Sequence, residues 1–390
     1  MNNFDLDFLW NIRWDAIPNY QIALYGIFVL MFLVQLYYYL RVFRGAMVRT
    51  RTKKDVKQTP VSVVICTTNE YNDLAKNLPL ILEQKYPTFE VIVINDCSTD
   101  NTENFLSSLR LKYKHLHYTN IEINEKFKHD RKLAITLGVK ASRYNDIIFT
   151  TPDCTPPNHQ WLASMQAMFA KHPDFVIGHC NYLNASKLVR CDNIYTSLFA
   201  ISAARKGFPF KVTFKNLGIS KNMFLDNKGF ANINHFPNSE ETLFVCRNAT
   251  AKNTVVALST DSITASSQRL AFKHWWRQRI TQASLLAMGK RGQSLHHFEM
   301  FSRILFYLSE ITLAALAILN YDALIAIMIV PLILIRLLLQ MIVFQRIRVV
   351  WKEKNIILSL FLYDRWSPIL ALFIALLRPD LRKIKSIKLK

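Results

Sequence analysis

A chain of 390 residues with 51% hydrophobic content and a positive mean hydropathy is too apolar for a disordered segment and points to membrane-embedded stretches around a globular core. Its 49 Lys and Arg against 28 Asp and Glu leave a formal net charge of +21. Nucleic acid is not the expected partner, because the basic residues gather beside the apolar runs, where they mark cytoplasmic flanks and bind anionic lipid headgroups.

After an N-terminal segment, residues 1–19, Tyr20 to Leu40 is an uncharged run long enough to cross a bilayer. Asp5, Asp7 and Asp15 precede it and no small-residue cleavage site follows, so it reads as a retained anchor and not a secretory signal. A basic linker, residues 41–59, carries Arg41, Arg44, Arg49, Arg51, Lys53, Lys54 and Lys57. Strand and helix patterns then alternate over residues 60–270. Val61 to Cys66 and Glu90 to Asn95 read as strands, with helices at Asp73 to Gln84 and Thr102 to Lys112, which is a βαβ unit and therefore a parallel sheet. A strand near His115 to Tyr118, a helix over Asp130 to Ser142 and a strand at Ile147 to Phe149 continue the series. The six cysteines lack Cys-x-x-Cys spacing, and a domain behind a positive-inside flank is kept reduced, so they read as free thiols.

Residues 271–300 mix Phe272, Trp275 and Trp276 with Lys273, Arg277 and Arg279, which suits an amphipathic helix in the membrane interface. The alternative is a soluble helix that packs its tryptophans on the core. Leu305 to Leu319 and Ala323 to Leu339 form a membrane hairpin within residues 301–345, with Glu310 and Arg336 at comparable depth, either neutralising each other or snorkelling apart. Ile356 to Leu377 holds Asp364, Arg365 and Pro368 in its middle. A crossing there would bury an ion pair and export the basic tail that ends in Lys388 and Lys390. Residues 346–390 are therefore read as a re-entrant or interfacial pair of short helices followed by a basic tail. The expected arrangement is a multi-pass protein of the inner membrane, with the catalytic domain in the cytoplasm.

Chemistry is expected where the strands end, because ligands of open α/β sheets bind outside the carboxyl ends of the strands. The first strand ends in Thr67-Thr68-Asn69-Glu70 and the second in Asn95-Asp96, with Ser98 and Asp100 better explained as helix N-caps. The run Asp146-Ile147-Ile148-Phe149-Thr150-Thr151-Pro152-Asp153-Cys154 delivers Asp153 into a proline-rich turn, where a carboxylate can hold a divalent cation against phosphates.

Val61 to Glu70, Val91 to Thr102, Asp130 to Gly138 and Ile147 to Pro156 resemble, in this order, glycosyltransferase family 2, whose members have the GT-A nucleotide-diphospho-sugar fold. The likeness continues through Gly207-Phe208-Pro209-Phe210, Lys215-Asn216-Leu217, Asn227-Lys228-Gly229-Phe230 and Ser239-Glu240-Glu241-Thr242-Leu243-Phe244, over about residues 60 to 290. It implies an α/β, Rossmann-like, mostly parallel sheet flanked by N- and C-terminal transmembrane helices. It also implies a metal-dependent, inverting transfer from a nucleotide-sugar donor to a lipid-linked or envelope glycan acceptor. By the same resemblance Thr67, Asn69, Glu70 and Asp96 lie at the nucleotide, and Arg131 and Lys132 meet the pyrophosphate or base. Asp153 ligates Mg²⁺ or Mn²⁺, Glu240 and Glu241 supply the general base, and Gln278 with Arg279 open an interfacial Gln-x-x-Arg-Trp signature. Asp153 and the acid pair are expected to face one another across a single cleft.

The chain departs from the pattern near the chemistry. Thr151 stands where the first Asp of Asp-x-Asp is usual, Cys97 replaces a glycine, and Val212 and Phe214 fill a loop where small glycines are common. The acid pair is Glu-Glu, which moves the carboxylate by about 1.5 Å, one carbon–carbon bond. Gln282 and Ala283 follow Arg279, so the Arg-Trp end of the signature is absent. That loss argues against a processive polysaccharide synthase. The departures together also fit a catalytically silent member acting as a nucleotide-binding or scaffold protein in envelope-glycan assembly.

Overall fold

The computed structural model describes residues 18–50, 58–122, 131–233, 240–286, 292–320 and 323–377. Most of the N-terminal segment, Arg51 to Lys57 of the linker, Asp130, Ser239 and the basic tail lie outside them. The chain divides into two compact units, one of Met1–Arg41 with His297–Ile342, the other of Val42–His296 with Val343–Lys390.

After α1 (Asn19–Tyr37) the chain enters the second unit through α2 (Arg44–Met47), β1 (Val61–Thr67), α3 (Tyr71–Leu82), β2 (Phe89–Asp96), α4 (Thr102–Lys112), β3 (Leu116–Ile121), α5 (Arg131–Ala141) and β4 (Asp146–Thr150). There follow β5 (Cys154–Thr155), α6 (Trp161–Gln166), β6 (Phe175–Gly178), β7 (Cys180–Tyr182), α7 (Lys187–Ala204), β8 (Leu217–Ser220) and α8 (Lys221–Asp226). The rest comprises α9 (Glu240–Asn248), β9 (Thr254–Ala257), β10 (Thr264–Ser266), α10 (Phe272–Leu286), α11 (Gly292–Leu319), α12 (Ala323–Trp351) and α13 (Ile357–Leu376).

A seven-stranded sheet runs β3-β2-β1-β4-β8-β6-β9. β8 is antiparallel to both β4 and β6, and the remaining pairs are parallel. The apolar runs at residues 63–66 of β1 and 91–94 of β2 fit a sheet covered on both faces. Val63, Ile65, Val91 and Val93 are sealed with Leu74, Leu78 and Ile81 of α3 and Trp161, Leu162 and Met165 of α6, each such side chain worth about 1.5–3 kcal/mol of burial. On the opposite face α5 lies so close to the sheet that a Cβ on Gly138 would sit 2.5 Å from Val64 Cγ1. The chain builds outward from β1 to β3, then returns to β4 on the other side of β1. The strand order thus reverses between β1 and β4, where a crevice opens at the carboxyl ends.

A second sheet, β5-β10-β7, sets Ser266 opposite Cys154 and so beside Asp153. α13 packs on α7 and α10. It is one helix of 20 residues with Pro368 inside, where a pair of short helices was expected. Asp364 does not break it, because that buried carboxylate accepts a 2.5 Å hydrogen bond from Tyr195 Oη of α7.

Among the described residues four helices are long and apolar enough to cross a membrane: Asn19–Met47, Ser294–Leu319, Ala323–Trp351 and Ile357–Ile374, one more than the sequence suggests. In the first unit Phe28 stacks on Phe306 at 5.0 Å, and Gln35 Nε2 donates to Ser302 Oγ at 2.9 Å. Glu310 and Arg336 are both buried there, and the Arg336 guanidinium lies 4.9 Å from the rings of Phe306 and Tyr307, an arrangement that offsets part of the cost of removing it from water.

Candidate active site

A cavity of about 770 Å³ lies at the reversal point. Glu70, Asp96, Arg131, Asp153, Glu241, Gln278 and Arg279 all line it. Asp153 and one acid of the pair at 240 and 241 therefore share one cleft, as expected. Four other expected residues do not line it. Thr67 is 1% exposed and closed in at the end of β1, and Lys132 is buried on α5. Asn69 ties two loops together: its side chain accepts from the Thr99 amide at 2.7 Å, and its own amide donates to Ser98 Oγ at 2.9 Å. Asp100 does the same for the helices, accepting from Thr102 N at the start of α4 and Tyr71 N at the start of α3. The polar strand ends thus spend much of their hydrogen bonding on each other, and Asn69 and Ser98 brace the crevice.

Glu240 and Glu241 open α9, where the helix dipole favours acids. One residue step turns a helix by about 100°, and that step separates their surroundings. Glu240 is 2% exposed and sits 3.8 Å from Arg131 Nε, outside the cavity lining. Glu241 lines the cavity, and its Oε2 has no hydrogen-bond partner among the described residues. Burial pushes its carboxyl up to about 7, with Arg131 opposing and Glu240 adding to the rise. A carboxylate poised near neutrality is suited to take up a proton. Arg131, over the Phe214 ring at 5.3 Å, adds a cation to the same wall.

Asp153 enters from the loop after β4 and is 5% exposed. Thr151 Oγ1 donates to its Oδ1 at 2.5 Å, and both Lys215 Nζ and Ser266 Oγ donate to its Oδ2. Burial works against its ionisation, yet the Lys215 ammonium and these hydrogen bonds hold the carboxyl below its usual range. Glu70 is pushed up by burial and then by the neighbouring Asp153 charge. A divalent cation requires several hard oxygen ligands. Here both oxygens of Asp153 are engaged, an ammonium already lies against it, and Glu70, the neighbouring carboxyl, is pushed toward its neutral form. Among the described residues no group of three or more His, Cys, Asp or Glu is placed to hold a metal. The donor set therefore does not fit a protein-held Mg²⁺ or Mn²⁺ at Asp153. Thr151 in place of an acid removes one negative charge, and Lys215 supplies the positive one.

The far wall is α10. Gln278 and Arg279 face the cavity, and Arg279 Nη2 is 3.0 Å from Asp192 Oδ1 of α7. Asp192 also accepts from Trp275 Nε1 at 3.0 Å and from Tyr363 Oη of α13 at 2.6 Å. Trp275 is thus a core residue, as the alternative of a helix packed on the core has it, while Phe272 stays 62% exposed. Lys211 lines the same side, its amine pushed down by burial to about 8. Lys215 stands in the sequence only within a family-like segment with no role assigned, and Ser266, Asp192 and Lys211 are not singled out there. For Lys215 a signal existed: the missing first acid of the turn calls for a compensating change in cationic charge.

An open, mostly parallel sheet with a polar cavity at its reversal point and a second small sheet beside it is the architecture of the GT-A fold. Residues 62–190 match the Glycosyl transferase family 2 profile. Among solved structures, the mannosyltransferase PcManGT from Pyrobaculum calidifontis, in complex with GDP-Man and Mn²⁺, is similar at 15% identity and a TM-score of 0.53 over 88% of this chain and 99% of that one. TarS 1–349 of S. aureus is similar at 16% identity and a TM-score of 0.39 over 65% of this chain and 72% of that one. Its complex with UDP-GlcNAc gives 17% identity and 0.42 over 64% and 70%. No curated protein sequence matches the chain.

Proposed function

We propose that the chain transfers a sugar from a nucleotide-diphospho-sugar to an acceptor hydroxyl by single displacement, inverting the anomeric carbon, with Glu241 as general base. The observation that carries this reading is the unpartnered, buried Oε2 of Glu241, which lines the same cavity as Asp153, Lys215 and Arg131. A base so placed takes the acceptor proton as the oxygen attacks C1, a contribution of about 10²- to 10⁴-fold. Arg131 faces the charge that grows on the departing diphosphate. Glu70 and Asp96, at the ends of β1 and β2, are placed for the ribose and base. Glu240 holds Arg131 in position, and Gln278 and Arg279 form the acceptor wall.

A lipid-linked or envelope glycan acceptor at the cytoplasmic face of the inner membrane suits a chain with four helices apolar enough to span among its described residues. A silent scaffold, the other reading that the altered motifs allow, has no need of a buried acid without a partner. Mg²⁺ or Mn²⁺ at Asp153 is not part of the proposal, since the carboxylate already carries an ammonium.

The test is turnover of UDP- and GDP-sugars by the full chain in detergent, offered polyprenyl phosphate or envelope glycans, with the product anomer read by NMR. Wild type should form the inverted product and Glu241→Gln should not. Equal turnover by both proteins would remove Glu241 from the mechanism, and a retained anomer would remove single displacement.

A further inference from the structure

We propose that the Lys215 ammonium stands where a divalent cation would, so that this chain binds and releases the diphosphate of its donor without a metal ion. The inference rests on the transfer reading above and names the group that receives the leaving-group charge.

Three observations carry it. Charge comes first. An Asp-x-Asp turn holding a divalent cation is neutral, and Asp153 paired with Lys215 is neutral too. The field presented to a diphosphate is thereby preserved although Thr151 has replaced an acid.

The second observation is donor geometry. An ammonium has three N–H groups. Asp153 Oδ2 takes one and Ser266 Oγ, at 3.1 Å, takes another. Among the described residues no acceptor takes the third, and the side chain, 13% exposed, lines the cavity. A phosphate oxygen completes the set. Asp153 then acts as a positioning residue that aims the cation.

Rigidity is the third. Lys215 lies two residues before β8, and its neighbour Asn216 is pinned by donating to the carbonyls of His179 at 2.9 Å and Ser262 at 2.6 Å. The Lys215 carbonyl accepts from Thr150 Oγ1 at 3.3 Å, and the Tyr182 ring lies 5.5 Å from Nζ. A cation fixed in this way before the donor arrives needs no reorganisation during the reaction. In the step itself, the acceptor O–H proton passes to Glu241 and the acceptor oxygen bonds to C1. The C1–O bond to the β-phosphate breaks with its electron pair left on that oxygen. Lys215 stays protonated and, with Arg131, faces the new charge.

The experiment is calorimetric titration of the full chain in detergent with UDP and with GDP, each in EDTA and in Mn²⁺. One nucleotide should bind with a Kd that agrees within about threefold in the two buffers, and Lys215→Ala should weaken it at least tenfold in EDTA. Because that variant leaves Asp153 buried and unpaired, Lys215→Met combined with Asp153→Asn removes both charges and should show the same loss. Thr151→Asp with Lys215→Ala should bind in Mn²⁺ and not in EDTA. Wild-type binding that vanishes in EDTA, or undiminished binding by the neutral pair, would overturn the inference and leave the transfer reading standing. If neither nucleotide bound in either buffer, both would fall.

Discussion

Replacing Glu241 by Gln tests whether the acid is held at an energetic cost for the sake of the reaction. The carboxyl sits at about 7 where 4.5 is ordinary, a displacement that disfavours the charged form by about 3 kcal/mol. The folded chain therefore holds this proton more tightly than the unfolded one. The penalty is absent below about pH 4.5, grows as pH rises through about 7, and is complete by about pH 8. Gln never ionises, but its amide N–H groups face the space where Oε2 finds no partner, which costs about 1 kcal/mol. The variant should thus be more stable than wild type by about 2 kcal/mol at pH 8 and slightly less stable at pH 5, while sugar transfer falls at least a hundredfold. Urea midpoints in detergent at the two pH values and a turnover assay measure both effects, and wild-type turnover should rise with pH through about 7. A stability difference that ignores pH, or a Gln variant that is less stable at pH 8, would refute the reasoning.

Asp192→Ala leaves Arg279 without its carboxylate and strands the Trp275 and Tyr363 donors, so unfolding in detergent should show a loss of about 3–5 kcal/mol; a loss below about 1 kcal/mol would mean the node is not structural. Cys97 stands at φ 54°, where a side chain costs about 1 kcal/mol, so Cys97→Gly should raise stability by that amount. Gly138→Ala places a methyl 2.5 Å from Val64 Cγ1 and should cost about 1–3 kcal/mol, with most of it recovered in a Val64→Ala background. No recovery in that double variant would show that the strain lies elsewhere.

The central sheet was legible because its strands are long β-branched runs: β1, β2 and β4 fall within a residue or two of where the pattern puts them. α13 was misjudged for a physical reason. Asp364 in an apolar run looks like a boundary until its partner is known, and Tyr195 is 169 positions away. Lys215 hid in the same way, 62 positions from the carboxylate it pairs with. Asn69 looked like a ligand-binding group because a polar strand end invites that reading, and its acceptor turned out to be filled by Thr99. Two adjacent glutamates cannot be told apart by type, and the turn of α9 alone decides which of them meets the cavity.

α13 is both apolar enough to enter lipid and hydrogen-bonded to the catalytic unit through Tyr363 and Asp364. Cutting the chain after α10 to obtain a soluble enzyme would strip Asp192 of its phenol and leave Tyr195 facing a gap. What looks in the sequence like a detachable greasy tail is the brace behind the reaction chamber, and trimming it for convenience would loosen the very wall that holds Gln278 and Arg279.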